Sequence, residues 1–328
     1  MSRKALWLFL AAGLAWGVPY FFIAIAVQDF STYSIVLFRV LIGAAVLIPL
    51  ALKSGALLLA LKHWRWVLLF ALLEMVGPWW LITEAANHIS SGLTGLLIAT
   101  VPFFAVLIAS FMGDKSVWHP KTIFGLVLGF SGVVALVGID SLAGYIDPLW
   151  VAAVILASFG YALAPAIIAS KIGFVPTAGV ISLSMVMVGV IYLIPALTQL
   201  PAEIAAGPAI ESWVAIVILG VVCSAVAFVI FFALIKEVGA PRATLITYLN
   251  TLVALVLGIV FLNEPITPGL IIGIPLVLVG SWFAGRRHEV KNKTQGKKAH
   301  GPKDKDSKAT EEKPVSLETT GLDVLPKG

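Results

Sequence analysis

Charge is scarce in this 328-residue chain. Lys, Arg, Asp and Glu together make up 12% of it, against roughly 25% in an ordinary soluble domain. Hydrophobic residues supply 60%, so there is too little polar surface to cover a water-facing exterior. The composition excludes a soluble enzyme and points to an all-α polytopic membrane protein. Cysteine is nearly absent too. The one thiol, Cys223, lies in an apolar run, which excludes an intrachain disulfide framework and a cysteine-only metal site. The five histidines form no i, i+4 pair with a glutamate, and neither a phosphate-cradling Gly/Lys loop nor a GxSxG nucleophile turn occurs. No cofactor, no metal and no ATP hydrolysis by this chain are therefore expected.

The basic balance does not indicate nucleic acid. Residues 286–328 hold 11 of the 22 Lys and Arg and 7 of the 17 Asp and Glu, so most of the formal +5 sits in this segment. Six basic residues (Arg286, Arg287, Lys291, Lys293, Lys297 and Lys298) open it. Its Lys/Glu/Asp/Ser composition reads as a disordered basic cytoplasmic tail, a topological stop that could also meet anionic lipid or a partner.

What is abundant is apolar runs of helical length. A helix needs about 20 apolar residues to cross a bilayer core, and ten stretches qualify: Ala5–Val27, Tyr33–Leu52, Trp66–Ala86, Gly92–Met112, Lys121–Gly138, Leu149–Ser170, Thr177–Gln199, Trp213–Ile235, Arg242–Leu262 and Pro268–Gly285. They are too long and too continuous for barrel strands. Met1-Ser2-Arg3-Lys4 resembles the start of a signal peptide, but the run that follows exceeds a signal core of about 7–15 residues and reads as a retained first helix. With the N-terminus inside, the cytoplasmic segments take every Lys and Arg except Arg39. The opposite loops hold only acids and amides, such as Gln28, Asp29, Asp140, Asp147, Glu203 and Glu211. That bias places both termini in the cytoplasm.

The two halves resemble each other. Leu6-Trp7 and Trp16-Gly17 match Leu149-Trp150 and Phe159-Gly160; Ile48-Pro49 matches Ile194-Pro195. Ile89-Ser90-Ser91-Gly92 matches Val238-Gly239-Ala240-Pro241, Asp114 matches Glu264, and Gly125 and Gly132 match Gly273 and Gly280. Five spans per copy is an odd number, so the second copy is expected upside down relative to the first, the architecture of alternating-access carriers. The expected organisation is a first repeat over 1–140, an inverted second repeat over 141–285, and the tail 286–328.

Three charged residues fall inside spans, away from their end residues: Arg39, Glu74 and Glu84. A charge at mid-bilayer costs at least about 2.5–3.5 kcal/mol, so such residues face protein or water. Glu74 lies nearest the midplane and Arg39 between the two acids, about 9 Å in depth from each. Glu74 suits a proton carrier or substrate-amine partner and Arg39 a carboxylate anchor. The alternatives are an inter-helix ion pair, or snorkelling by Arg39 and Glu84. Ser224 and Cys223 are the polar residues of the eighth span's middle. Trp16 and Tyr20 stand one helical turn apart; Trp79 and Trp80 follow Pro78; Tyr161 precedes Pro165; Tyr248 and Asn250 begin the ninth span, and Tyr192 lies in the seventh. Such rings line a cavity by apolar or cation–π contact, or pack against lipid. Pro78, Pro102 and Pro165 are expected to kink their helices. Gly13-x-x-x-Gly17, Gly125-x-x-x-Gly129 and Gly269-x-x-x-Gly273 allow close helix contact, within the chain or in a dimer. The substrate-binding candidates are Trp16, Tyr20, Arg39, Glu74, Trp79, Pro102, Tyr161, Ser224, Tyr248 and Asn250.

The layout of five plus five spans resembles the EamA-type drug/metabolite transporter superfamily, as do the segments Ile89–Asp114 and Val238–Thr267. These segments close on Gly113-Asp114-Lys115 and Asn263-Glu264-Pro265. The family's early proline is present as Pro102, while Asn250-Thr251 stands in the second copy. The resemblance covers about residues 5–285 and implies transport of small metabolites, often export of amino acids or related compounds, without ATP. An ion or small-solute channel is the alternative, disfavoured by the lack of a filter-like motif or charged ring; an intramembrane enzyme comes third. The expected partners are a small-molecule substrate, the lipid bilayer and protons as coupling ion, with no nucleic acid. The charge bias makes a direct prediction. Reporters fused after residues 29, 145 and 205 read out on the far side and one after residue 285 reads cytoplasmic; a far-side signal from the C-terminus refutes this topology.

Overall fold

The long apolar runs fold as helices that break where proline or a wide turn intervenes. The computed structural model describes residues 2–113, 119–142, 147–238, 243 and 246–285, and no strand occurs among them. Residues 286–328, with the expectation of a disordered tail, lie outside the described residues. The chain runs α1 (Arg3–Gly17), α2 (Pro19–Ala26), α3 (Thr32–Lys53), α4 (Ala56–Lys62) and α5 (Trp64–Ala71). A π turn (Leu72–Val76) leads into α6 (Gly77–Ala85), followed by α7 (Ser91–Ile98), α8 (Val101–Phe111) and α9 (Pro120–Leu142). Then come α10 (Pro148–Ile172), α11 (Thr177–Ala205) and α12 (Ile210–Gly220). A second π turn (Val221–Val226) leads into α13 (Ala227–Val238), and α14 (Ile246–Phe261) and α15 (Pro268–Gly285) complete the fold.

Among the described residues, seven stretches are long and apolar enough to cross a membrane: Arg3–Ala26, Thr32–Lys53, Trp64–Ala85, Ser91–Phe111, Pro148–Ile172, Thr177–Ala205 and Ile210–Val238. Shorter apolar helices, Pro120–Leu136, Ile246–Phe261 and Pro268–Gly280, fall where the sequence suggests spans five, nine and ten. Large apolar side chains such as Phe111 (91% exposed) and Ile194 (74%) face outward, as lipid-covered helices require. This is an integral membrane protein.

Breaks follow the local chemistry. Pro19 lacks an amide donor, so α1 stops at Gly17 and α2 restarts with proline in its first turn. Pro102 does the same at the start of α8. Pro165 instead stays inside the continuous helix α10, unlike the break at Pro102. Serine side chains cap the helix starts: Ser31 accepts from the Ser34 amide at 3.3 Å and Ser90 from the Leu93 amide at 3.2 Å.

The packing has a pseudo-twofold pattern. α3 packs on α11, α7 on α14 and α9 on α15, each an element against its repeat counterpart. α1 packs on α13 and α14 as α10 packs on α5, α6, α7 and α8. Small residues make the closest crossings possible: a Cβ on Gly17 would sit 2.5 Å from the Val253 side chain, and one on Gly280 2.3 Å from the Gly129 amide. The glycine pairs at Gly13, Gly17 and Gly129 thus serve contacts within the chain.

Polar and ring contacts gather the helix ends into two groups. In one, the Asp29 carboxylate accepts from the Ala209 amide (3.1 Å) and the Ser212 hydroxyl (2.6 Å), and Glu203 accepts from the Ser31 amide (3.0 Å). Glu84 accepts from the Thr32 hydroxyl (2.5 Å), and the His88 ring stacks on Trp150 at 4.2 Å. In the other, Lys4 pairs with Glu237, His63 meets Phe174, and Lys171 lies over Trp66. A further link in the first group is Glu264. Its two oxygens accept from the Ser91 amide (2.6 Å) and the Gly92 amide (3.0 Å), so an acid from the second repeat caps α7 of the first. A carboxylate on a helix N-terminus satisfies orphan amides and meets the positive end of the helix dipole. Charged hydrogen bonds of this kind are worth about 1.5–3 kcal/mol each. Glu264→Ala is expected to lower the thermal unfolding midpoint in detergent by several degrees, and Glu264→Gln, which keeps one acceptor, by less; two wild-type melts exclude this clasp.

Candidate functional site

A cavity of about 240 Å³ opens among the helices of both repeats. α1 and α2 bring Trp16, Pro19, Tyr20 and Ile23; α3 brings Arg39; the first π turn brings Glu74; α6 brings Trp79 and Ile82. Ile98 and Val101 close the first-repeat side, and Tyr161 enters from α10, the first helix of the second repeat. The second repeat adds Cys223 from its π turn, Phe228 and Phe231 from α13, and Ile246, Thr247 and Asn250 from α14.

Arg39 is only 8% exposed, so its charge needs compensation. Its Nε donates to the Ser224 hydroxyl at 2.9 Å, and its guanidinium carbon lies 3.8 Å from the centre of the Trp79 ring. A planar guanidinium can do both at once and still present its terminal nitrogens to a ligand. Ser224 in turn donates to the Leu219 carbonyl at 2.9 Å, five residues back, which the wide π turn leaves in reach. The expected alternative of an Arg39–Glu74 ion pair is not formed; among the described residues the one ion pair is Lys4–Glu237. Glu74 lines the same cavity with its Oε2 buried and without a hydrogen-bond partner.

The walls are mostly aromatic. Trp16 donates from Nε1 to the Cys223 carbonyl at 3.1 Å, tying α1 to the second π turn. Its ring meets Phe228 edge-on at 5.3 Å and Phe231 at 4.7 Å. The Asn250 amide is assigned with its nitrogen toward the Gly13 and Ile246 carbonyls, 2.9 Å from each, which leaves its oxygen as a further acceptor.

The structure thus gathers Trp16, Tyr20, Arg39, Glu74, Trp79, Tyr161 and Asn250 around one cavity, with Ser224 bonded to Arg39 from outside the lining. Pro102 and Tyr248 do not line it. Thr247 and Asn250 share a helical face that turns Tyr248 about 100° away, and Pro102 follows the wall residue Val101. Glu84 is held by Thr32 away from this cavity. Sequence reading missed Ile23, Ile82, Ile98, Val101, Ile246, Phe228 and Phe231, since an apolar wall and a lipid-facing stripe have the same composition. The i, i+3 spacing of Phe228 and Phe231 beside Cys223 and Ser224 is the one signal that could have marked a wall.

Because Arg39 depends on Ser224, Ser224→Ala should strand a buried charged donor at a cost of about 1–3 kcal/mol, read as a lowered unfolding midpoint. Pairing it with Arg39→Met removes the stranded donor and should recover most of the loss. Equal melting of Ser224→Ala and the unaltered protein refutes the dependence.

The family model described as the EamA-like transporter family matches twice, over residues 3–138 and 148–286. The protein of Streptantibioticus cattleyicolor described as "Probable terminal-alkyne amino-acid exporter" is 25% identical over 87% of this chain and 94% of its own. An uncharacterized inner membrane transporter of Escherichia coli, YedA, is 25% identical over 75% of this chain and 78% of its own. An uncharacterized transporter of Bacillus subtilis, YvbV, is 26% identical over 73% and 78%. A solved crystal structure of a protein aligns with a TM-score of 0.59 over 87% of this chain and 98% of its own at 20% identity, a likeness of fold. With two matches that together span nearly the whole helical region, this chain belongs to the EamA-like family of drug/metabolite transporters.

Proposed function

We propose that this transporter is a secondary exporter of small zwitterionic metabolites with apolar side chains, of the amino-acid class, and that protons drive it through Glu74. The observation that carries this reading is the pairing in one cavity of a braced guanidinium and a carboxylate with a bare buried oxygen. The terminal nitrogens of Arg39 hold the substrate carboxylate in bidentate fashion. Glu74 accepts the substrate ammonium, and the rings of Trp16, Tyr20, Tyr161 and Phe228 take up the apolar side chain. A proton on Glu74 removes the charge that holds the ammonium, so proton and substrate compete for one carboxylate. Exchange of the two across the membrane is then export driven by inward protons. The amino-acid class also agrees with the printed name of the Streptantibioticus relative.

The carrier cycle runs on ten spans in two inverted repeats, 1–140 and 141–285, with both termini and the tail 286–328 cytoplasmic. The doubled family match, the pseudo-twofold helix pairing and the two groups of helix ends support that arrangement. Among the described residues that line the cavity, the second repeat contributes no acid, so coupling is asymmetric and sits in the first repeat.

The test uses proteoliposomes and a panel of radiolabelled L-leucine, L-methionine, L-phenylalanine and L-norvaline. At least one of these should show saturable, pH-gradient-driven flux. Glu74→Gln should cut gradient-driven flux at least about tenfold, equivalent to about 1.4 kcal/mol, while retaining substrate-for-substrate exchange. Wild-type rate and pH dependence in Glu74→Gln end the coupling role. Non-saturating flux of every panel member, linear in concentration, favours a channel instead.

A further inference from the structure

Tyr192 lies outside the cavity, on α11 of the second repeat, yet it reaches the segment that carries the cavity's acid. It is 4% exposed, and its hydroxyl donates to the Val76 carbonyl at 2.7 Å. Val76 closes the π turn Leu72–Val76, with Glu74 at its centre. We propose that Tyr192 is a positioning residue for Glu74: by holding the Val76 carbonyl it fixes the π turn, and so fixes where the Glu74 carboxyl points within the cavity. The inference rests on the reading of Glu74 as the working acid.

Several observations converge on this role. The π turn is a local register shift, shown by the Gly77 amide donating to the Leu72 carbonyl five residues back. Pro78 follows at once and offers no amide to the Glu74 carbonyl, so the ordinary α register is weakened there. A wide turn of this kind can move along a helix, and passing Glu74 it would swing that side chain by about 100°. Glu74 has nothing of its own to resist the swing at Oε2, which has no partner. Resistance comes from the backbone's neighbours. On one side the Leu73 carbonyl sits against Gly160, where an added Cβ would come within 2.4 Å of it. On the other side stands the Tyr192 hydroxyl.

The tether is specific to the acid-bearing half. The repeat match of Ile48-Pro49 with Ile194-Pro195 puts Val46 at the position equivalent to Tyr192, and Val46 is 39% exposed on the apolar exterior. The other π turn, Val221–Val226, is braced differently, by the Trp16 indole on the Cys223 carbonyl and by Arg39 on Ser224. A tyrosine placed for general packing would not need its hydroxyl. Tyr192 spends it on one backbone oxygen two residues from Glu74 and in the other repeat.

The test needs no substrate for its first arm. Infrared spectra of the purified full-length protein in lipid, taken across a pH titration, contain the carboxyl vibration that disappears in Glu74→Gln. In Tyr192→Phe that vibration should shift in frequency and in titration midpoint, while in Tyr33→Phe, whose ring lies 6.1 Å from Tyr192, it should stay in place. An unchanged Glu74 vibration in Tyr192→Phe overturns the proposal, whatever happens to the melting point. The second arm is flux of the most active panel amino acid. Tyr192→Phe should reduce it about three- to tenfold, the worth of one hydrogen bond, and should cause no further loss in the Glu74→Gln background. An equal loss in both backgrounds marks Tyr192 as merely structural and overturns the proposal. Wild-type flux in Glu74→Gln would refute the coupling role alone, and the spectrum would still decide whether Tyr192 aims the acid. If Tyr192→Phe does not fold, site-specific 3-fluorotyrosine at 192 keeps the volume, alters the donor strength of the hydroxyl and should move the same vibration; an unmoved vibration there also overturns the proposal.

Discussion

A guanidinium buried at 8% exposure in an apolar bundle is the constraint around which the cavity is organised. Arg39 cannot be left unsolvated there, and among the described residues no carboxylate neutralises it directly. Two softer partners compensate the charge together, a ring face from α6 and a hydroxyl from the second π turn. The hydroxyl is itself directed onto Leu219 by the widened helix. Remove the π turn and the serine no longer sits between guanidinium and carbonyl. The charge, the backbone irregularity and the contact between repeats are therefore one structural unit.

The same logic explains why irregular backbone is concentrated at the cavity. The two described π turns occupy matching positions in the two repeats, Leu72–Val76 and Val221–Val226, and each brings one polar side chain to the cavity, Glu74 and Cys223. Backbone freed from the α register in a membrane interior must find partners in protein. Here those partners are long side chains from elsewhere in the bundle, Trp16 and Tyr192. One brace enters from the first repeat and the other from the second, so each half holds the other's weakened helix.

Much of this was legible in the sequence, and for identifiable reasons. The low share of charged residues exposed the membrane character, and the offsets between Ile48-Pro49 and Ile194-Pro195 or Asp114 and Glu264 exposed the repeat. Arg39 and Glu74 stood out because a charge in an apolar run is costly enough to need a purpose. Their separate partners did not stand out, because a depth estimate along helices cannot say which faces meet. The π turns did not stand out: Pro78 signals only a kink after the first, and Val221–Val226 contains no proline, its braces from Trp16 and Arg39 being tertiary contacts. Phe228 and Phe231 read equally well as lipid-facing. Tyr248 falls outside this cavity's lining, since Thr247 and Asn250 of the same helix already define the face turned toward it.

The clasp of Glu264 on the start of α7 has a consequence for motion. It joins the end of the second repeat's fourth long segment to the beginning of the first repeat's, so these two ends cannot separate while the carboxylate keeps both amides. On the same face Asp29 grips the Ala209 amide and the Ser212 hydroxyl, again across the repeats. On the opposite face the described cross-repeat polar link is the exposed pair of Lys4 and Glu237, which solvent weakens. The two faces are thus latched unequally. Parting the helix ends on the acidic side means exchanging several charged hydrogen bonds for water in a single event, so that end of the bundle is held together more firmly than the opposite one.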